Sequence, residues 1–132
     1  MKLYFDENFS YRLSNALKEL EQGAHDGVEV HHLTEEFPRG TSDGDWIPVI
    51  AQKNGIVITQ DLNIHKTRSL NLICEKHRLS LVLFKPPKKR SYTYWDWVEV
   101  VVAKWRTVKD EIKTHRGRFV LEIADRSVHV LS

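Results

Sequence analysis

Four aspartates stand where an α/β chain could use them for metal chemistry. Asp6 directly follows the strand-like run Lys2-Leu3-Tyr4-Phe5, and Asp61 lies just past the β-branched run Ile56-Val57-Ile58-Thr59. Asp43 and Asp45 open an amphipathic stretch between the two. Two carboxylates about 4 Å apart repel by roughly 1 kcal/mol in water, and by several times more at a protein-like effective dielectric. A hard divalent cation removes that conflict. Oxygen-only donors, with no His or Cys at ligand spacing, favour Mg²⁺ or Mn²⁺ over Zn²⁺. The chemistry natural to such a site is phosphoryl transfer, with the cation activating water and stabilising the leaving oxygen.

Each acid also has a structural role open to it. Asp61 suits a turn after a strand, Asp43 and Asp45 suit the first turn of a helix, where the dipole favours negative charge, and Asp6 suits a helix cap. The fragment Phe5-Asp6-Glu7-Asn8-Phe9-Ser10, however, offers more oxygen ligands than one cap requires.

The elements that must position these acids follow from periodicity. After the strand at 2–5, Ser10 can cap a helix with Leu13, Ala16, Leu17 and Leu20 on one face, ended by Gly23. A strand is expected at 28–31. Ser42 with Asp45 three residues on resembles a capping box ahead of Trp46, Ile47, Ile50 and Ala51. Strands follow at 56–59 and 79–84, with a helical stretch carrying Leu70, Ile73, Cys74 and His77 between them. Tyr94, Val98, Val101, Val102, Trp105, Val108 and Ile112 mark one face of a long helix. Residues 118–123 and 128–131 read as a closing hairpin within a C-terminal segment of about 117–132. Strands alternating with helices predict an α/β domain with a mainly parallel sheet, a single unit over residues 1–132. In such sheets ligands bind beyond the carboxyl ends of the strands, where the strand order reverses. Asp6 and Asp61 would share that crevice if their strands are neighbours. Periodicity alone does not bring Asp43 or Asp45 there.

Composition sets the outer limits. The 132 residues are 41% hydrophobic and 29% charged, with 6 Gly and 4 Pro, which excludes a disordered or collagen-like chain. Unbroken apolar runs reach only four residues, far short of a membrane span. The single cysteine, Cys74, fits a reducing compartment, and a cytoplasmic location is expected. The formal net charge of +2 conceals a division: residues 1–62 hold eleven acids and five bases, and residues 63–132 hold seven acids and fifteen bases. Lys66, Arg68, Lys88, Lys89 and Arg90 are candidate phosphate grips, with Tyr92, Tyr94 and Trp95 able to stack on bases, although Tyr94 is expected on the core face of its helix. Arg12 could pair with a carboxylate or orient a phosphate. The histidines at 25, 31, 32, 65 and 77 show no ligand spacing with the acids and read as surface or hydrogen-bonded core residues.

Asp6-Glu7-Asn8-Phe9-Ser10 with Arg12-Leu13, then Gly40-Thr41-Ser42-Asp43-Gly44-Asp45-Trp46-Ile47, then Val57-Ile58-Thr59-Gln60-Asp61 together resemble the PIN-like nuclease families, in particular the branch related to VapC toxins. The resemblance spans about residues 1 to 105. It implies a three-layer α/β/α domain and a metal-dependent endoribonuclease, the toxin of a type II toxin–antitoxin pair, with an RNA substrate, a cognate antitoxin and a homodimeric state. Carried over, Asp6 and Asp61 match the strand-end ligands of Mg²⁺ or Mn²⁺, and Asp43 or Asp45 matches the helical acid, with Asp43 preferred. Relatives often carry a further acid after the third motif, where this chain has Asn63, a departure that points to one metal rather than two. The alternatives are a non-catalytic module binding RNA or a partner protein, and a phosphohydrolase or phosphoacceptor using Asp6, for which the usual second aspartate is replaced by Asn8.

Overall fold

Six short runs rich in β-branched and aromatic residues form strands: β1 (Lys2–Phe5), β2 (Glu29–His32), β3 (Gly55–Thr59), β4 (Ser80–Phe84), β5 (Val120–Ile123) and β6 (Val128–Val130). They are seen in a computed structural model that describes residues 1–61, 67–87, 91–124 and 127–131. Four helices accompany them among the described residues: α1 (Tyr11–Ala24), α2 (Asp43–Gln52), α3 (Arg68–Lys76) and α4 (Tyr94–Lys113). The strands lie in the order β2-β1-β3-β4-β5-β6, all parallel except β6, which closes an antiparallel hairpin with β5. The chain steps outward from β1 to β2, then crosses back to pair β3 with the other side of β1. The strand order therefore reverses between β1 and β3.

Side-chain alternation along the strands divides the core into two layers. Leu3 and Phe5 of β1, Val82 and Phe84 of β4 pack with Leu13 and Leu17 of α1 and Val101, Trp105 and Val108 of α4. Tyr4, Val57, Leu81 and Leu83 point the other way, against Trp46, Ile47 and Ile50 of α2 and Cys74 of α3. The result is a three-layer α/β/α domain. Val101, Trp105, Val108 and Ile112 are all buried along α4, and burying side chains of this size stabilises by roughly 1.5–3 kcal/mol each before the cost of ordering them. A charge at Val108, 0% exposed, would break this layer.

Ser10 caps α1 as its position predicts, its hydroxyl accepting the Arg12 N–H at 3.1 Å. Other local expectations are corrected. The helix runs one residue past Gly23 and ends on His25 in the left-handed region at φ 55°. The Ser42–Asp45 capping box does not form: Ser42 holds the N-cap position, but its side chain makes no cap bond, and its carbonyl instead accepts from the Asp45 and Trp46 N–H groups at 3.0 and 3.2 Å. A capping box is present at α4, between Thr93 and Asp96. Ala16, Leu20, Tyr94 and Val102, expected on apolar helix faces, are exposed, the last three by 63%, 47% and 46%. Tyr94 is the first residue of α4, and Val102 stands one step around the helix from the buried Val101.

Candidate active site

β1 and β3 are hydrogen-bonded neighbours with Phe5 opposite Ile58, so Asp6 and Asp61 leave the sheet side by side at its carboxyl edge. The Asp6 N–H continues the ladder, donating to the Ile58 carbonyl at 3.0 Å. Beyond the edge lies a cleft of about 320 Å³ lined by Asp6, Glu7, Asn8, Asp43, Trp46 and Asp61, among others. It sits at the reversal of strand order, where α/β sheets bind ligands. α2 enters with its N-terminus towards this cleft, which brings Asp43 to it. Asp45 is exposed and does not line it.

The carboxylates are held individually. Asp6 is 8% exposed. Its Oδ1 accepts the Asn8 N–H at 3.1 Å, and its Oδ2 accepts the Thr59 hydroxyl and the Asn8 side-chain amide. The Thr59 hydroxyl in turn accepts the Asp61 N–H at 2.9 Å. Burial pushes the Asp6 carboxyl up to about 6, against the opposing hydrogen bonds from Thr59 and Asn8 and with a further push from the Asp61 charge. Asp43 accepts the Trp46 indole N–H at 2.9 Å. It too is raised above the ordinary carboxylate range, first by burial, against the Trp46 bond, and then by the charges of Asp61 and Glu7. Asp61 thus acts electrostatically on both Asp6 and Asp43, and Glu7 on Asp43, which is the crowding that a cation relieves.

Glu7 and Arg39 were not among the expected site residues. The Glu7 carboxylate accepts the Gly40 N–H at 2.9 Å, and the Arg39 guanidinium donates to the Glu7 carbonyl at 3.2 Å. Gly40, at φ +81°, supplies the left-handed backbone that presents its N–H there. Thr59 was read only as a strand residue. The signal that could have marked it is a hydroxyl at the last position of an otherwise aliphatic strand. His32, 1% exposed, ties the end of β2 to this segment: its Nε2 donates to the Phe9 carbonyl at 2.8 Å, and its Nδ1 accepts the Thr34 N–H at 3.2 Å, which fixes the tautomer.

The expected basic residues are not gathered at the cleft among the described residues. Arg12 is exposed, its guanidinium 5.1 Å above the Tyr11 ring, rather than paired with a carboxylate. Arg68 is exposed at the first turn of α3. Lys66, Lys88, Lys89 and Arg90 lie outside the described residues, as do Asn63 and His65.

Oxygen-only donors suit Mg²⁺ or Mn²⁺. Among the described residues no three His, Cys, Asp or Glu side chains converge as a ready-made ion cage. Mg²⁺ needs only one or two carboxylates and retains several waters, so the donor set fits an open, hydrated ion rather than an all-protein cage. No helix among the described residues is long and apolar enough to cross a membrane.

Residues 1–86 match the model of a family described as "PIN like domain". No curated protein and no solved structure matches the chain.

Proposed function

The chain belongs to the PIN-like domain family, and on that premise we propose that it is a metal-dependent endoribonuclease. The observation that carries the reading is the meeting of Asp6, Asp43 and Asp61, from three different elements, on one cleft at the reversal of strand order. Asp6, Asp43 and Asp61 would hold Mg²⁺ or Mn²⁺. When bound, the ion supplies Lewis acidity to the scissile phosphate.

The chain's own groups do the positioning. Thr59 and Asn8 fix the Asp6 carboxylate, and the Trp46 indole fixes that of Asp43. Asp45, exposed and off the cleft, is assigned no direct contact. Arg39, between the cleft-lining Pro38 and Gly40, retains N–H groups beyond the one given to the Glu7 carbonyl and is proposed to meet a phosphate. Arg12, Arg68 and the basic residues outside the described segments are proposed to bind the RNA backbone away from the reacting phosphate. The role of a VapC-like toxin, with a cognate antitoxin, a homodimeric state and a cytoplasmic location, belongs to the same proposal and rests on the resemblance; Cys74, a buried free thiol, agrees with that compartment.

Replacement Asp6→Asn is expected to abolish cleavage of single-stranded RNA in Mg²⁺ or Mn²⁺ while the protein stays folded; undiminished metal-dependent cleavage would overturn the assignment. A second reading, RNA or partner binding without turnover, is supported by the basic balance of residues 63–132, fifteen bases against seven acids. Tight, salt-dependent RNA binding with no cleavage in either ion would select it. Asp6 as a phosphoacceptor lacks the usual second aspartate, in whose place Asn8 stands.

A further inference from the structure

A second cavity, of about 220 Å³, adjoins the carboxylate cleft on the opposite side of the sheet edge. Phe9 and Leu13, 2% and 3% exposed, form its floor. Trp97 and Val98 of α4 form a wall, and Tyr94, 47% exposed, stands at its mouth. The Trp97 indole is itself locked edge-on against Phe9 and Tyr92, at centroid distances of 5.3 and 4.9 Å. The wall is therefore a fixed aromatic surface rather than a loose side chain.

A ridge of two residues separates the two cavities. Asn8 lines both, and Gln60, which lies between Thr59 and Asp61 in sequence, lines the aromatic one. The Gln60 amide donates to the Asn8 carbonyl at 2.7 Å, fastening the ridge across the ends of β1 and β3. An acidic cleft and a mostly apolar, aromatic cavity thus share one wall.

The geometry points to a base-binding pocket: the aromatic cavity takes one unpaired nucleobase of a single strand whose adjacent phosphate lies in the carboxylate cleft. This inference rests on the nuclease reading of that cleft. A planar, weakly polar ring suits an apolar cavity of this size with an exposed tyrosine at its mouth, and amides on the ridge can meet the hydrogen-bonding edge of a base. Stacking tolerates any base, because each has a π-face. A base inside a duplex is already stacked and paired, so the pocket selects unpaired RNA.

The test is fluorescence titration of a short single-stranded oligoribonucleotide carrying one 2-aminopurine, in EDTA so that nothing is cut, followed by cleavage kinetics in Mn²⁺. The wild-type protein is expected to quench the probe and to bind the single strand more tightly than the duplex of the same sequence. Tyr94→Ala is expected to weaken single-strand binding roughly tenfold and to raise KM with little change in kcat, and Tyr94→Phe is expected to restore both. Wild-type affinity and KM in Tyr94→Ala, or equal affinity for single strand and duplex, would overturn the pocket while leaving an Asp6-dependent nuclease intact. Tyr94-sensitive quenching with no cleavage in any divalent ion would uphold the pocket and overturn the nuclease.

Discussion

The Thr59 hydroxyl donates to the Asp6 carboxylate and accepts the Asp61 N–H at 2.9 Å, so one side chain couples the two strand-end acids. Two carboxylates at adjacent strand ends would otherwise be free to splay apart under their mutual repulsion. Thr59, 0% exposed at the end of β3, fixes the direction of one and the backbone of the other.

Thr59→Val keeps the shape and removes both bonds. It leaves the buried Asp6 carboxylate and the Asp61 N–H each short of a partner, and about 1–3 kcal/mol of stability should be lost at neutral pH. Thr59→Ser should recover most of it. Urea denaturation of the three proteins in EDTA checks this, and an unaffected Val variant would show that the bridge contributes nothing.

Without metal, stability should fall as pH rises through the Asp6 window. Its folded value, about 6, lies above the ordinary aspartate value of 3.8, so between the two the folded chain keeps a proton that the unfolded chain has released. Protons are then lost on unfolding, and stability declines across about pH 4 to 6 and levels off above. The loss is at most about 3 kcal/mol at 1.36 kcal/mol per unit. In EDTA, the stability of Asp6→Asn relative to wild type should therefore rise through that window. A pH-independent difference would contradict the burial of an ionisable Asp6. Mn²⁺ should stabilise the wild type at pH 7 and leave Asp6→Asn unmoved.

Trp46→Phe removes the indole N–H that holds Asp43 Oδ1 at 2.9 Å while retaining an aromatic ring among Ile47 and Ile50. Groups that orient a metal-ligating side chain typically matter by 10–100-fold in affinity or activity. A loss of that size in Mn²⁺ affinity by calorimetry, with the melting temperature changed by only a few degrees, is expected. Unchanged affinity would remove Asp43 from the ligand set.

Gly55→Ala tests the packing of β1, β3 and α2 at the amino end of β3, opposite the site. A Cβ there would lie 2.6 Å from Ile50 Cγ2 and 2.8 Å from the Tyr4 ring. Overpacking of this kind costs about 1–3 kcal/mol. A variant as stable as wild type would mean that β1, β3 and α2 do not meet as closely as described.

Asp6 and Asp61 were legible because a carboxylate ending a strand stands out against apolar neighbours, and parallel pairing of β1 with β3 then places both on one edge. The choice between Asp43 and Asp45 was not legible: two helical residues two apart differ by roughly 200° in direction, so one at most faces the cleft, and only the packing of Trp46 and Ile47 says which. Thr59 was concealed by its own β-propensity, since a β-branched residue at a strand end needs no further explanation. Tyr94 misled because periodicity gives a face but not the extent of the layer that covers it. Glu7 and Arg39 became visible only when the loop at Gly40 folded back on β1, a long-range contact with no local signature.

A crystal grown in Mn²⁺ and measured at the manganese edge tests the central claim most directly. The account predicts an anomalous peak in the cleft within coordination distance of Asp6 and Asp61, with Asp43 bound directly or through water, and loss of that peak in Asp6→Asn. A cleft free of anomalous density at millimolar Mn²⁺, or a peak that persists unchanged in Asp6→Asn, would contradict it.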